Sequence, residues 1–319
     1  MLSELELLTV GRISVDLYAS EIGAGWDEVS GFTKAVGGTA TNVAVAAARL
    51  GRRAAVLTKV GSDPFGSYLR KRLIDFGVDV SYVGTSNLLR TPLAFAVLDP
   101  PDDPQLLFYR EPLAPDLTIE PEDCDEEVIR RVGILWVTGT GMSREPSAST
   151  TRRMLEIRER RHHTVVDLDY RPSLWSSERE AREGISSMLG YATVAVGNRS
   201  ECDIAVGSGD PDRAADLLLQ AGVSLAVVKM GAQGVLVATS TSRDVVPPRP
   251  VHVVCGLGAG DAFGGALVHG LLAGWEPVRA VRFANAAGAL VASRLLCADA
   301  MGTEGEIASL LESDADEAV

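Results

Sequence analysis

The sequence has no long hydrophobic run and few cysteines. None of its segments approaches about 18 uninterrupted apolar residues, the length at which a membrane-spanning helix would be predicted. The N-terminus also lacks a basic segment followed by an apolar run, so no signal peptide is expected. The cysteines are widely spaced and form no C-x-x-C pair, so neither a zinc site nor a disulfide framework is indicated. Together these absences predict a soluble, cytoplasmic protein. The four cysteines are Cys124, Cys202, Cys255 and Cys297.

Positive charge is also scarce. The chain has 30 Lys and Arg against 43 Asp and Glu, which gives a formal net charge of −13. Nucleic acids and anionic membranes bind basic surfaces, so neither is an expected partner. A phosphorylated cosubstrate is not excluded, because a cleft can be positive locally. The apolar fraction of 46% over 319 residues suits one large α/β domain with a small appendage.

Short apolar runs of strand length alternate with longer segments of helical period through most of the chain. This alternation predicts an α/β fold with a doubly wound, mainly parallel sheet that is covered by helices on both faces. The predicted strands are 7–10, 54–60, 134–137, 164–168, 193–196, 225–228 and 234–238. The predicted helices include 42–50, 65–76, 147–160 and 211–221.

Two regions break the alternation of strands and helices. Residues 13–36 have no helical period and contain a glycine-rich turn, and residues 91–112 contain strand candidates 93–98 and 105–110 around the D-P-P-D-D-P turn. Each region therefore predicts a hairpin outside the main sheet. The last residues, 312–319, are acidic and are expected to be a disordered tail.

A glycine-rich turn, Gly258-Ala259-Gly260, runs directly into Asp261 and an apolar helix. The first N–H groups of a helix have no intrahelical acceptor, and small residues let an anion approach them closely. The turn therefore suits a phosphate or a developing oxyanion. A carboxylate beside such a cradle has two interpretations: Asp261 is a general base for an attacking hydroxyl, or it is a helix cap.

This segment resembles one of the two signatures of the PfkB/ribokinase family of carbohydrate kinases. The other is Gly37-Gly38-Thr39-Ala40-Thr41-Asn42-Val43-Ala44, followed by the V-G-x-D-x-x-G stretch at 60–66. The resemblance extends from about residue 7 to residue 311, which predicts one kinase domain over 1–311. It implies a sugar kinase that uses ATP and Mg²⁺. It also implies that segments 13–36 and 91–112 form a β-sheet lid, which in this family is often shared between two subunits, so that a homodimer is expected.

The resemblance also implies roles for individual residues. Asp261 would be the base, with Gly258, Ala259 and Gly260 holding the transferred phosphoryl group. No residue is expected to bind a metal ion directly, and Mg²⁺ is expected near Asn198 and Glu201 through water. The residues expected at the sugar are Asp16, Gly37, Gly38 and Asn42, and those expected at the nucleotide are Asn198, Glu201, Lys229, Gly231, Gly234 and Asn285. For Asp16 a solvated turn, and for Asn285 a helix asparagine with a backbone partner, remain alternative interpretations.

Two further strings, F-Y-R-E at 108–111 and D-L-D-Y-R-P-S-L-W at 167–175, resemble those of the family's 5-dehydro-2-deoxygluconokinases and 2-keto-3-deoxygluconate kinases. The resemblance implies that Arg110 and Arg171 hold an acidic open-chain sugar, since a guanidinium binds a carboxylate bidentately. Structural salt bridges are the alternative. The leading substrate is 5-dehydro-2-deoxygluconate. 2-Keto-3-deoxygluconate, a neutral sugar as in fructokinase or ribokinase, and a non-catalytic sugar- or nucleotide-binding regulator remain open.

One departure from the family pattern concerns a monovalent cation. The family has Asp-Thr immediately before the glycine-rich turn, and that aspartate helps to hold the cation. This chain has Cys255 and Gly256 there, and neither side chain offers a hard oxygen ligand. Activation by potassium is therefore doubtful.

Overall fold

The computed structural model describes residues 5–312. Of the predicted tail, 312–319, only Glu312 lies among them, and it ends the last helix rather than starting a disordered segment. The strands in chain order are β1 (Leu7–Val10), β2 (Ser14–Ala19), β3 (Phe32–Gly37), β4 (Ala54–Gly61), β5 (Val83–Ser86), β6 (Leu93–Val97), β7 (Gln105–Tyr109), β8 (Ile134–Thr138), β9 (His163–Asp167), β10 (Val194–Asn198), β11 (Leu225–Lys229), β12 (Val235–Ala238) and β13 (Arg243–Val246). The helices are α1 (Thr39–Arg49), α2 (Pro64–Asp75), α3 (Glu126–Arg131), α4 (Ser147–Arg158), α5 (Glu178–Leu189), α6 (Arg199–Val206), α7 (Pro211–Gln220), α8 (Ala259–Leu272), α9 (Pro277–Ala292) and α10 (Glu304–Glu312).

Nine strands form the main sheet in the order β13-β12-β11-β10-β9-β8-β1-β4-β5. The seven neighbouring strands of this sheet from β11 through β1 to β5 run parallel to one another. Leu7 of β1 lies opposite Ala54 of β4 on one side and Ile134 of β8 on the other. Only β12 and β13, at one edge, are antiparallel. The prediction of a mainly parallel sheet is confirmed. Its central strands are buried on both faces, which explains their nearly continuous apolar sequences.

Helices cover both faces of the sheet, as the alternation predicted. One apolar core lies between the sheet and α1, α2, α8, α9 and α10, and the other lies between the sheet and α3 to α7. The first core requires a very close approach of α8 to α1. A Cβ added at Gly265 would lie 2.3 Å from the Cβ of Ala46, so only glycine fits there.

The remaining four strands form a separate small sheet in the order β3-β2-β6-β7. Strands β2 and β3 pair antiparallel, β6 and β7 do the same, and the two hairpins join through the parallel pair β2–β6. Both predicted hairpins are therefore present. The inner face of this sheet, with Leu106 and Phe108, lies over the carboxyl end of the main sheet. We call it the lid sheet.

No helix within residues 5–312 has the length and apolar character needed to cross a bilayer.

Candidate active site

The site residues collect where the parallel strands end. In open α/β sheets the crevice beyond the carboxyl ends of the strands is the usual ligand site. Two neighbouring cavities lie there: a lid-side cavity of about 60 Å³ under the lid sheet and a strand-end cavity of about 270 Å³ beyond β9 to β11. A larger cavity of about 740 Å³ lies at the other end of the sheet, beside Arg53 and Ala54, and contains none of the predicted site residues. The residues that line both of the first two cavities are Thr39, Leu106, Arg171, Leu257, Gly258 and Asp261.

Asp261 lies in the first turn of α8, but its side chain does not cap that helix. Its Oδ2 accepts a hydrogen bond of 2.8 Å from Nδ2 of Asn42 on α1. Burial raises the pKa of Asp261 to about 6, although the Asn42 hydrogen bond lowers it and the nearby Arg171 and Arg12 lower it further. The arrangement eliminates the capping interpretation. It leaves a carboxylate that both cavities share and whose pKa is close to neutrality.

The N-cap residue of α8, Gly258, has a left-handed backbone with φ of 81°. A Cβ there would stand 2.6 Å from Sγ of Cys297, so a larger residue is excluded on two grounds. Within residues 5–312 no acceptor is found for the N–H groups of Gly258, Ala259 and Gly260. Gly258 and Gly260 line the strand-end cavity together with Asp261, where an anion cradle is expected, whereas Ala259 lines neither cavity.

Asn42 has a second polar atom that no other described residue satisfies. Its Oδ1 is buried and has no hydrogen-bond donor within the described residues. A buried acceptor without a donor is costly, so a bound molecule that donates a hydroxyl to it would be stabilised. Asn42 lines the lid-side cavity together with Asp16 and Asp261.

The glycine pair of the N-terminal signature makes room for two neighbours. A Cβ on Gly37 would lie 1.9 Å from Oδ1 of Asp16, and a Cβ on Gly38 would lie 2.3 Å from the carbonyl oxygen of Arg12. Asp16 is on β2 of the lid sheet and accepts a 2.7 Å hydrogen bond from Ser14. Burial raises the pKa of Asp16 to about 6, against the opposing effects of Ser14 and Arg12. Asp16 therefore lines a cavity and does not lie in a solvated turn.

Arg171 lines both cavities, and its Nε donates to Oδ1 of Asp169 at 3.3 Å. Asp169 and Arg12 are site residues that the sequence analysis missed. Asp169 lies inside the string at 167–175, two residues before Arg171, and Arg12 lies between Gly11 and Asp16. Their positions after β9 and β1 were the signal that could have identified them.

Arg110 is placed differently from the prediction. It lies just after β7, is 8% exposed, and its Nη2 donates to Oδ1 of Asp116, which is 1% exposed. It lines neither cavity. Because Asp116 also accepts a hydrogen bond from the backbone N–H of Ile13, this ion pair ties the end of the lid sheet to the start of β2. The structural alternative for Arg110 therefore has a specific partner.

The strand-end cavity contains Asn198, Glu201 and Lys229 together with Asp167, which the sequence analysis also missed. Asn198 and Glu201 form a reciprocal capping box at the start of α6, which explains their spacing of three residues. Burial would lower the pKa of Lys229, but the carboxylates of Glu201 and Asp167 raise it overall. Lys229 thus remains a cation beside the turn, and a Cβ on Gly260 would lie 3.4 Å from its Nζ.

Three predicted nucleotide residues lie outside both cavities. Gly231 and Gly234 have positive φ values of 59° and 89°, and a Cβ on Gly234 would lie 2.2 Å from the carbonyl oxygen of Val246. The Nδ2 of Asn285 donates to the carbonyl oxygen of Pro247 at 2.9 Å. Each position therefore has a local structural reason, and Asn285 has the backbone partner of its alternative interpretation.

The turn between β6 and β7 reaches the segment that precedes the cradle. The N–H of Gly256 donates to the carbonyl oxygen of Pro101 at 2.9 Å, and a Cβ on Gly256 would lie 2.3 Å from the carbonyl oxygen of Asp102. Cys255 is 1% exposed. The lid therefore contacts the chain two residues before the cradle, at the position where the family pattern has a threonine.

Comparison with known proteins agrees with this geometry. Residues 4–303 match the pfkB family carbohydrate kinases. The 5-dehydro-2-deoxygluconokinase of Geobacillus thermodenitrificans (strain NG80-2) is 34% identical over 316 residues, which cover 97% of this chain and 93% of that protein. A fructokinase double mutant from Vibrio cholerae O395, solved with fructose, ADP and a potassium ion, has a TM-score of 0.88 at 27% identity and covers 97% of this chain and 99% of its own.

A fructokinase from Xylella fastidiosa with bound ATP has a TM-score of 0.85 at 26% identity, again over 97% of this chain and 99% of its own. The fold, the two signatures and these relatives agree over nearly the whole length. The chain belongs to the pfkB family of carbohydrate kinases and is a phosphotransferase that acts on a sugar hydroxyl.

Proposed function

We propose that this enzyme transfers the γ-phosphate of ATP to a primary hydroxyl of a sugar acid, with 5-dehydro-2-deoxygluconate as the leading substrate. The observation that carries the proposal is the placement of Asp261 at the boundary of two cavities, beside a cradle of free N–H groups. One cavity takes the sugar and the other takes the phosphates. The similar proteins named 5-dehydro-2-deoxygluconokinase support the choice of sugar.

In this proposal Asp261 accepts the proton of the sugar hydroxyl as its oxygen attacks the γ-phosphorus. A carboxylate with a pKa of about 6 is mostly ionised at neutral pH and still basic enough to take a proton. The N–H groups of Gly258, Ala259 and Gly260 donate to the oxygens of the transferred group, where charge accumulates. Asp16 and the orphaned Oδ1 of Asn42 accept hydrogen bonds from other sugar hydroxyls.

The strand-end cavity fits nucleotide phosphates with Mg²⁺. Lys229 supplies a cation there, and Asn198 and Glu201 present oxygens at the start of α6. Among residues 5–312 no three acidic, histidine or cysteine side chains are close enough to hold a metal ion. Mg²⁺ keeps several waters and readily takes phosphate ligands, so this donor set suits a water-mediated contact. The metal ion would neutralise charge on the transferred phosphate.

A second copy of the chain is the partner that we propose for the outer face of the lid sheet. Phe32, Leu107 and Tyr109 on that face are 39%, 44% and 60% exposed. Phe95 packs between two of them, with ring centroids 5.2 Å from Phe32 and 5.4 Å from Tyr109. An apolar sheet face of this kind is typical of an interface. The Leu107→Asp, Tyr109→Asp variant should sediment as a monomer where the wild type sediments as a dimer, and equal sedimentation of the two would refute this arrangement.

The function itself is tested by a coupled ADP-release screen over 5-dehydro-2-deoxygluconate, 2-keto-3-deoxygluconate, fructose and ribose. We expect the highest kcat/KM on the first. A preference for fructose or ribose would make a neutral sugar the substrate and leave the kinase assignment intact. No ADP release with any sugar would favour the non-catalytic regulator. Because ATP is the proposed phosphate donor and all four cysteines are free thiols, we place the reaction in the cytoplasm.

A further inference from the structure

The guanidinium of Arg12 is held by three side chains at the wall of the lid-side cavity. Its Nε donates to Oγ1 of Thr140 at 3.0 Å, and its Nη2 donates to Oγ1 of Thr39 at 2.6 Å and to Oδ2 of Asp169 at 2.9 Å. Arg12 is only 5% exposed, yet it lines that cavity. A buried arginine fixed so firmly loses little further entropy when it binds a ligand.

The third nitrogen of Arg12 remains available. Within the described residues no acceptor is found for Nη1, and it is not among the buried atoms that lack a partner. It is therefore the part of the guanidinium that the cavity can reach. Its neighbours in the lid-side cavity are Asp16, Asn42 and Arg171.

Asp169 holds Arg12 and Arg171 together. It is 2% exposed and accepts hydrogen bonds from both guanidiniums. Burial alone would raise the pKa of Asp169, but the two arginines hold it well below its usual range. The group of three therefore carries one net positive charge and keeps two guanidiniums side by side that would otherwise repel each other.

The charges around the lid-side cavity also determine how an acidic sugar would be oriented in it. Asp261 and Asp16 repel an anionic group, whereas Arg12 and Arg171 attract one. An acidic sugar must therefore turn its carboxylate toward the arginines and present a hydroxyl to Asp261. Arg110 does not line this cavity, and its Nη2 is paired with the buried Asp116.

We propose that Arg12 binds the carboxylate of the sugar substrate through Nη1, next to Arg171, and that Asp169 is the positioning residue that holds both arginines. The inference rests on the proposed function and deepens it. It keeps Arg171 in the recognition of the acid and replaces Arg110 by a residue 98 positions earlier in the chain. Specificity for an acidic over a neutral sugar would then be determined by the segment between β1 and β2.

The test compares kcat/KM on 5-dehydro-2-deoxygluconate and on fructose for four variants. Arg12→Met should lose about 10- to 150-fold on the acid, mainly through KM, because one charged hydrogen bond is removed. Its loss on fructose should be within a few-fold. Arg12→Lys keeps the charge and should recover part of the loss. Arg110→Met should reduce both activities by a similar factor. Arg179→Met, on the exposed face of α5, is the control and should change neither.

Removing Arg12 leaves the Asp169 carboxylate with one partner fewer, so misfolding has to be separated from loss of recognition. The double variant Arg12→Met, Asp169→Asn removes both charges and should show the same selective loss on the acid. Asp169→Asn alone should raise KM for the acid more than for fructose, with kcat changed less than KM. A thermal shift with ADP reports whether each variant is folded.

Equal losses on the acid and on fructose for Arg12→Met and for the double variant would overturn the inference, as would a selective loss for Arg110→Met only. If the enzyme does not turn over fructose, titration calorimetry with the acid in the absence of ATP compares how tightly the wild type and the variants bind the acid. If the wild type phosphorylates none of the sugars, the proposed function fails and not the assignment of Arg12 alone. If the wild type uses the acid but Arg12→Met retains full activity on it, only the inference fails.

Discussion

Asn42 donates a hydrogen bond of 2.8 Å to Asp261 although the two residues are 219 positions apart in the chain. The bond joins the first helix of the N-terminal signature to the first helix turn of the C-terminal one. Neither signature alone makes a site. Their meeting produces a carboxylate with one oxygen held and its pKa near neutrality, beside an amide oxygen that has no donor.

Asp261→Asn should reduce kcat by about 10²- to 10⁴-fold, the usual contribution of a general base. Binding of ATP, measured by calorimetry, should persist because the cradle donors are unchanged. The melting temperature above pH 7 should rise, since the variant no longer buries a charged carboxylate. Asp244→Asn, an exposed change on β13, is the control. Turnover within a few-fold of the wild type would exclude Asp261 as the base.

The pH profile of kcat/KM follows from the pKa of Asp261. The base works as a carboxylate, so activity should be constant above about pH 7 and fall about tenfold per unit below a midpoint near the raised pKa of about 6. Asn42→Ala removes a hydrogen bond that lowers this pKa, and the midpoint should move to higher pH. Asp16 has a similar pKa of about 6, so Asp16→Asn distinguishes the two groups. Loss of the acidic limb in that variant would assign the limb to Asp16.

Potassium should have little specific effect. Cys255 and Gly256 stand where the family has Asp-Thr, and Cys255 is buried at 1% exposure. Neither provides the oxygen side chain that a monovalent cation needs. The assay measures kcat in potassium chloride against tetramethylammonium chloride at equal ionic strength. Activation by several-fold that sodium does not reproduce would show that other oxygens form the site.

Gly256→Ala should uncouple ATP hydrolysis from sugar phosphorylation. Its Cβ would lie 2.3 Å from the carbonyl oxygen of Asp102, so the turn between β6 and β7 has to move and the hydrogen bond to Pro101 is lost. A displaced lid admits water to the cradle, so the ratio of ADP released to sugar phosphate formed should exceed one. Gly25→Ala is the matched control, because no atom lies within 4 Å of the added Cβ. A ratio of one in Gly256→Ala would show that the turn does not exclude water.

The fold was largely predictable because its central strands are buried on both faces and its helices have a clear period. The hairpins of the lid sheet were recognisable as interruptions of that rhythm. The site was harder to predict because it depends on how arginines are paired. Arg12 pairs with Asp169 at a separation of 157 residues, whereas Arg110 pairs with Asp116 only six residues away. Sequence strings show which residues are present, but the choice of partner is decided by the three-dimensional packing.

The close contact of Gly265 with Ala46 has a consequence for the chemistry of the enzyme. Each of these residues lies about one helical turn from a partner in the Asn42–Asp261 hydrogen bond, so the spacing of α1 and α8 sets the length of that bond. A methyl group at position 265 pushes the helices apart, weakens the bond and makes Asp261 less acidic. The working pH of the kinase can therefore be adjusted by the bulk of a residue in the hydrophobic interior, with every polar group of the site left as it is.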